Sequence, residues 1–173
     1  MSAEDAENTL TLTIGLDYAE PSAEPAETAE IVIALDTEHA PQHAERMKEL
    51  ARSGYYDGKL FHRVIDGFMA QTGSPRGDGV GGSDLPDLKA EFSGVAFERG
   101  VVGMARTSDP NSANAQFFIM FTRYPSLDGQ YTVIGHVRSG MEAVDRIKRT
   151  EQAGRPLSIT PDRIIAATIA ADA

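Results

Sequence analysis

Residues 9–16, TLTLTIGL, alternate apolar and polar positions, which sets Leu10, Leu12, Ile14 and Leu16 on one face and predicts a half-buried strand. Residues 30–36, EIVIALD, predict a second strand. Between them, residues 19–29 are Pro-punctuated and aperiodic, so the two strands are expected to form a hairpin with a long acidic tip. The period then changes. Ala44, Met47, Leu50 and Ala51 recur at helical spacing, with Pro41 suited to the first turn and Gly54 to the end. In residues 61–73, FHRVIDGFMAQTG, Arg63 sits inside an apolar run and shares odd parity with Met69 and Gln71. Asp66-Gly67 is a turn or bulge signal that breaks such a register, and alone the stretch reads as an edge strand with its polar side chains in water.

Residues 73–86 are Gly-rich and irregular, and residues 106–115 and 123–130 are polar loops. Strands are predicted over 100–105, 116–121, 131–137 and 163–170, and a helix over about 141–149. Within 116–121, Gln116 and Phe118 share one face, with Phe117 and Ile119 opposite. About eight short strands and two widely separated helices exclude a βαβ array. Closure of such strands into a barrel, with the helices over its ends, removes exposed sheet edges.

Composition narrows the function classes. A chain of 173 residues fits one domain, 1–173, with an acidic N-terminal segment 1–8 and an acidic hairpin loop 19–29. There is no cysteine, hence no disulfide, thiolate nucleophile or thiolate metal site. No apolar run reaches the roughly 18 residues of a membrane span, and no secretory pattern opens the chain, so a cytoplasmic address is expected. Of 26 acidic residues, eight lie in residues 1–30, which hold no Lys or Arg; the remainder carries 18 acidic against 16 basic residues. No basic stripe of the kind nucleic acid requires is present.

Several local patterns carry no chemistry. GDGVGG at 77–82 matches a dinucleotide fingerprint in letters, but Pro86 follows where a helix is needed. His39 and His43 stand four apart, yet His39 precedes Pro41 and no third ligand is evident, so both read as surface histidines. No G-x-S-x-G nucleophile elbow occurs.

Four separated blocks, FHRVIDGFMAQTG, GVVGMAR, SANAQFFIM and LDGQYTVIGHV, occur in order. Together they resemble the cyclophilin family of peptidyl-prolyl cis-trans isomerases, most of all its bacterial single-domain members. The resemblance runs from about Ile31 to the C-terminus and more loosely back to Thr9. It implies a mainly β fold: a closed eight-stranded antiparallel barrel capped by two α-helices, its interior packed and its active site on the outer surface. It implies Arg63 and Gln71 as catalytic residues, and Phe68, Met69, Ala105, Arg106, Gln116, Phe118, Leu127 and Tyr131 as substrate-binding residues. The implied activity is rotation about X-Pro bonds in unfolded or flexible polypeptides, assisting folding. It breaks no bond and needs no cofactor and no metal. The partners implied are proline-containing peptides and unfolded clients, with no nucleic acid and no membrane, and a monomeric state.

The chain departs from the family pattern in three places. It has no tryptophan, and Ser126 stands where many members carry one beside the groove, which implies weak cyclosporin binding. Arg106 stands where many have Asn, and Ile134 replaces a frequent Phe and is expected to loosen a pocket wall. Arg63 and Arg106, with Arg76 or Arg123, predict an electropositive groove. Two other readings remain: a proline-peptide binding module or chaperone with weak isomerase activity, and a hollow ligand-carrying barrel of the lipocalin kind.

Overall fold

The computed structural model describes all residues 1–173. Strand β1 (Thr9–Leu16) and strand β2 (Glu27–Leu35) form the expected antiparallel hairpin. Leu10 stands opposite Ile33 and Leu12 opposite Ile31. All four are fully buried. Cross-strand apolar pairs of this kind are the unit that stabilises a sheet. β2 begins earlier than the sequence suggests, so its first residues, Glu27 to Ala29, belong to the ladder rather than to the acidic loop.

Helix α2 (Pro41–Arg52) follows the sequence reading and ends before Gly54, whose φ of +77° an L side chain rarely adopts. Its N-cap residue, Ala40, offers no side-chain acceptor. The carboxylate of Glu91 replaces one from a distant loop, accepting from the His43 N–H at 2.9 Å, the Gln42 N–H at 3.3 Å and His43 Nδ1 at 2.5 Å. His43 is therefore fully buried and not on the surface.

The remaining strands are β3 (Arg63–Ile65), β4 (Met69–Thr72), β5 (Val101–Met104), β6 (Phe117–Met120), β7 (Val133–Ser139), β8 (Glu151–Gln152), β9 (Arg155–Pro156) and β10 (Arg163–Ile169). Helix α3 (Met141–Arg146) and the five-residue α1 (Ala3–Glu7) complete the regular elements, with two short 3-10 turns. No helix is long and apolar enough to cross a membrane.

The closed eight-stranded barrel with two helices does not form. Ten strands lie in one open sheet, in the order β10-β1-β2-β7-β5-β6-β4-β3-β8-β9, and there are three α-helices. The sheet curls until residues 58–61 bond to residues 162–164, but only through an isolated bridge, Leu60 to Arg163, rather than a ladder. The extra strands β8 and β9 are two residues each, joined at Ala153-Gly154 with both φ positive, as in a type I′ hairpin. They carry no apolar alternation for a sequence reading to detect. The N-terminal segment 1–8 likewise contains α1, started by a Ser2–Asp5 capping box. In β10 the alternation is interrupted by a bulge: Thr13 pairs with Ala166 and Ile14 with Ile164, so Ile165 is unpaired and 39 % exposed.

The two faces of the sheet hold different cores. The concave side is filled by 29 buried residues, among them Tyr56, Phe61, Phe117 and Ile119, which leaves no hollow of the lipocalin kind. A smaller cluster, Met69, Phe97, Val101, Phe118, Met120 and Val133, sits on the other side. Period-two alternation along β4 and β6 divides neighbouring residues between the two cores.

Candidate active site

FHRVIDGFMAQTG is a hairpin rather than one strand. Asp66 and Gly67 make its turn, with Gly67 at φ +74°, and Arg63 pairs with Gln71, Val64 with Ala70, and Ile65 with Met69. Opposed residues share a face, so the parity of Arg63, Met69 and Gln71 survives the turn. The register continues across the sheet: Gln71 opposes Phe118, Phe118 opposes Gly103, and Gly103 opposes Val133. Arg63, Gln71 and Phe118 thus occupy one transverse row on the outer face, the backbone of Arg63 two strands from that of Phe118, roughly 10 Å at sheet spacing.

A pocket of ≈ 110 Å³ opens over this row. It is lined by Arg63, Phe68, Met69, Gln71, Ala105, Arg106, Phe118, Leu127 and Tyr131, nine of the ten residues the sequence singles out. Phe118 forms its floor, stacked on Phe97 at 5.8 Å and met edge-on by Tyr131 at 5.7 Å. Gly103 makes that stack possible, because a Cβ there would lie 2.6 Å from Phe118 Cζ and 2.7 Å from Phe97 Cε1. Leu127 is delivered by the 3-10 turn Pro125–Leu127, which is tied down where Asp128 accepts from the Phe97 N–H at 2.8 Å.

The Arg63 side chain is exposed and makes no hydrogen bond or ion pair within the chain. Gln71 is held instead by Gln116, Nε2 to Oε1 at 3.0 Å, and Gln116 in turn donates to the carbonyls of Gly79 and Gly81. Gln116 itself lines not the pocket but an adjoining cleft of ≈ 360 Å³. The two share Gln71, Ala105 and Arg106. Three of the thirteen residues lining the cleft, which is bounded by the 79–82 loop, are hydrophobic, whereas six of the nine pocket residues are. With Phe68, Met69, Phe118, Leu127 and Tyr131 in its wall, the smaller pocket suits an apolar ring.

Other expectations need correction. Ile134 is fully buried in the main core and walls no pocket. Arg76 and Arg123 do not add free charge: Arg76 pairs with Asp78 at 3.5 Å, and Arg123 binds both oxygens of Asp128. Ser126 is exposed on the 3-10 turn. The sequence reading passed over Tyr124, whose ring lies 4.3 Å from that of Phe68 and extends the aromatic rim. Its place before Pro125 in a polar loop gave no signal.

It also passed over His62, next to Arg63. Both its ring nitrogens are shielded from water and have no hydrogen-bond partner. Burial pushes its pKa below the ordinary range, and the charge of Arg63 pushes the same way. Burial also lowers His43, outweighing Glu91. The sign follows from linkage: below about pH 6.5 the unfolded chain binds protons that these folded histidines refuse. Stability is therefore expected to be full above pH 6.5 and to fall as the pH drops from there. Urea midpoints at pH 7.5 and 5.5 measure it; equal midpoints contradict the assignment.

Comparison with known proteins agrees with this geometry. The family model described as cyclophilin type peptidyl-prolyl cis-trans isomerase/CLD matches residues 24–169. A probable peptidyl-prolyl cis-trans isomerase of Brucella suis biovar 1 is 48% identical over 181 residues, covering 94% of this chain and 92% of the relative. A peptidyl-prolyl cis-trans isomerase-like 1 protein of Aspergillus fumigatus is 40% identical over 131 residues, covering 72% of this chain and 81% of the relative. Among solved structures, a cyclophilin from Hirschia baltica superposes with a TM-score of 0.78 at 24% identity, over 95% of this chain and 74% of that one. A Cryptosporidium parvum cyclophilin type isomerase, crystallised in the presence of the dipeptide ala-pro, gives 0.76 at 24% identity, over 93% and 98%.

Proposed function

The chain belongs to the cyclophilin-type peptidyl-prolyl cis-trans isomerases, and from that premise we propose that it turns X-Pro bonds at the Arg63 pocket, with the prolyl ring seated on Phe118. The observation that carries this is an uncommitted guanidinium on the rim of a small apolar pocket, one cross-strand pair from a fixed glutamine.

The chemistry asks for little more. The barrier to rotation, roughly 18–20 kcal/mol, is the loss of amide resonance on twisting. Once twisted, the prolyl nitrogen regains its lone pair and accepts a hydrogen bond that it refuses when planar. A donor fixed at that nitrogen binds the transition state more tightly than the ground state, which is the condition for catalysis. Arg63 supplies it. Its fork is permanently charged and reaches both the nitrogen and the neighbouring carbonyl. It has no internal partner to give up first. Met69, Phe118 and Leu127 grip the prolyl ring in a dry environment while the preceding residue turns, and Gln71, held by Gln116, steadies the carbonyl side. The substrates this suits are flexible proline-containing segments.

Titration with Ala-Pro peptides, followed by amide and methyl chemical shifts, tests the location. Shifts are expected to concentrate on Met69, Ala105, Leu127 and Tyr131. A cluster confined to the 79–82 loop would place the substrate in the cleft instead.

A further inference from the structure

The pocket carries positive charge that the protein leaves unneutralised. Of twelve arginines, six, Arg52, Arg76, Arg99, Arg123, Arg146 and Arg149, hold a carboxylate in an ion pair, and Arg46, Arg138, Arg155 and Arg163, away from the pocket, hold none. The two that line the pocket, Arg63 and Arg106, hold none, in a chain of net charge -10. The acids borne by the segments that build the pocket are already taken. Asp66, in the hairpin turn, pairs with Arg149 at 3.0 Å, and Asp128, next to Leu127, pairs with Arg123. No carboxylate lines the pocket, and the one at the adjoining cleft, Asp87, accepts from Asn114 at 2.9 Å.

Arg106 is also held ready for a ligand. Its Nε and Nη2 donate to the Gln130 carbonyl at 3.0 and 2.8 Å, and its Nη1 to the Thr107 carbonyl at 2.9 Å. The guanidinium carbon lies 4.6 Å from the centre of the Tyr131 ring. Every partner is neutral, so the full charge remains. Of five N–H groups three are used, which leaves two, the number a carboxylate takes. A side chain fixed in advance loses little entropy on binding.

We propose that this isomerase selects X-Pro segments with Asp or Glu within one residue of the proline, and that Arg106 receives the carboxylate. The inference rests on the prolyl ring binding in the pocket. It also separates two duties: an acidic group drawn to Arg106 leaves Arg63 free for the prolyl nitrogen, whereas one captured by Arg63 would block the donor.

Four peptides test it, alike except for Glu-Pro against Gln-Pro and Pro-Glu against Pro-Gln. Dissociation constants come from NMR titration and kcat/KM from cis–trans exchange, at low and at 0.5 M salt. In one of the two pairs the Glu peptide is expected to bind about five- to tenfold more tightly at low salt, a ratio that salt reduces. The pair that shows it fixes the direction of the peptide across the groove. Arg106→Gln is expected to bring the ratio to about one and Arg106→Lys to keep part of it, circular dichroism confirming that both fold. Equal affinities in both pairs, no binding by any peptide, or a ratio that survives Arg106→Gln overturns the proposal. Binding with the expected ratio but no faster exchange would instead defeat the placement of catalysis at this pocket, while leaving the preference for acidic segments standing.

Discussion

Replacing Arg63 with alanine is expected to lower kcat/KM on an X-Pro peptide by about 10²–10³-fold, the range for removing a donor that acts only in the transition state. The fold should not suffer. The Arg63 side chain is exposed and has no partner within the chain, and substitutions at such positions usually change stability by no more than about 0.5 kcal/mol. Arg63→Lys should recover only part of the rate, because a point charge cannot address the prolyl nitrogen and the adjacent carbonyl as a planar fork does. A protease-coupled assay reads the loss, and thermal unfolding checks the fold. A loss below tenfold in a folded Arg63→Ala protein would remove Arg63 from the chemistry.

Phe117→Ala should give the opposite result. Phe117 follows Gln116 and precedes Phe118, but its ring points into the main core, fully buried and edge-on to Tyr56 at 5.3 Å. Removing a ring from such a site costs about 3–5 kcal/mol. For a chain of this size that corresponds to a fall in Tm of roughly 6–20 °C. Because the pocket lies on the other face, folded Phe117→Ala protein at low temperature should keep most of its activity. Calorimetry measures the first effect and an assay near 10 °C the second. A Tm shift of one or two degrees would mean that the core is packed less tightly around Phe117 than its burial indicates.

These two residues also show how much of the molecule the sequence revealed. The alternation that sends Phe117 inward and Phe118 outward was legible, as were the β1–β2 hairpin, helix α2 and the shared parity of Arg63, Met69 and Gln71. Each rests on a local periodicity or on a glycine at positive φ. The four sequence blocks then brought together nine of the ten residues singled out: Arg63, Met69, Gln71 and Phe118 are outward positions of the adjacent strands β3, β4 and β6, and the turns and loops beside them supply Phe68, Ala105, Arg106, Leu127 and Tyr131. What failed was non-local or too short to carry a period. Closure of the sheet depended on a long-range pairing that shrank to a single bridge at Leu60 and Arg163. Strands of two residues, such as Glu151–Gln152, have no alternation to detect. His43 looked superficial because its partner, Glu91, is 48 residues away. Ile134 was assigned to a pocket wall by its place in a block, yet the pleat turns it to the opposite face from Val133.

The central claim is that the Arg63 pocket lowers the barrier to rotation itself, beyond binding proline. Two-dimensional NMR exchange spectroscopy on an X-Pro peptide with a catalytic amount of protein tests this most directly. The spontaneous process takes tens to hundreds of seconds. The account predicts strong cis–trans exchange cross-peaks within a mixing time below one second for the native protein, and their disappearance with Arg63→Ala at the same peptide saturation. Saturable binding with no exchange cross-peaks for the native protein, or cross-peaks of equal strength for both, would contradict it.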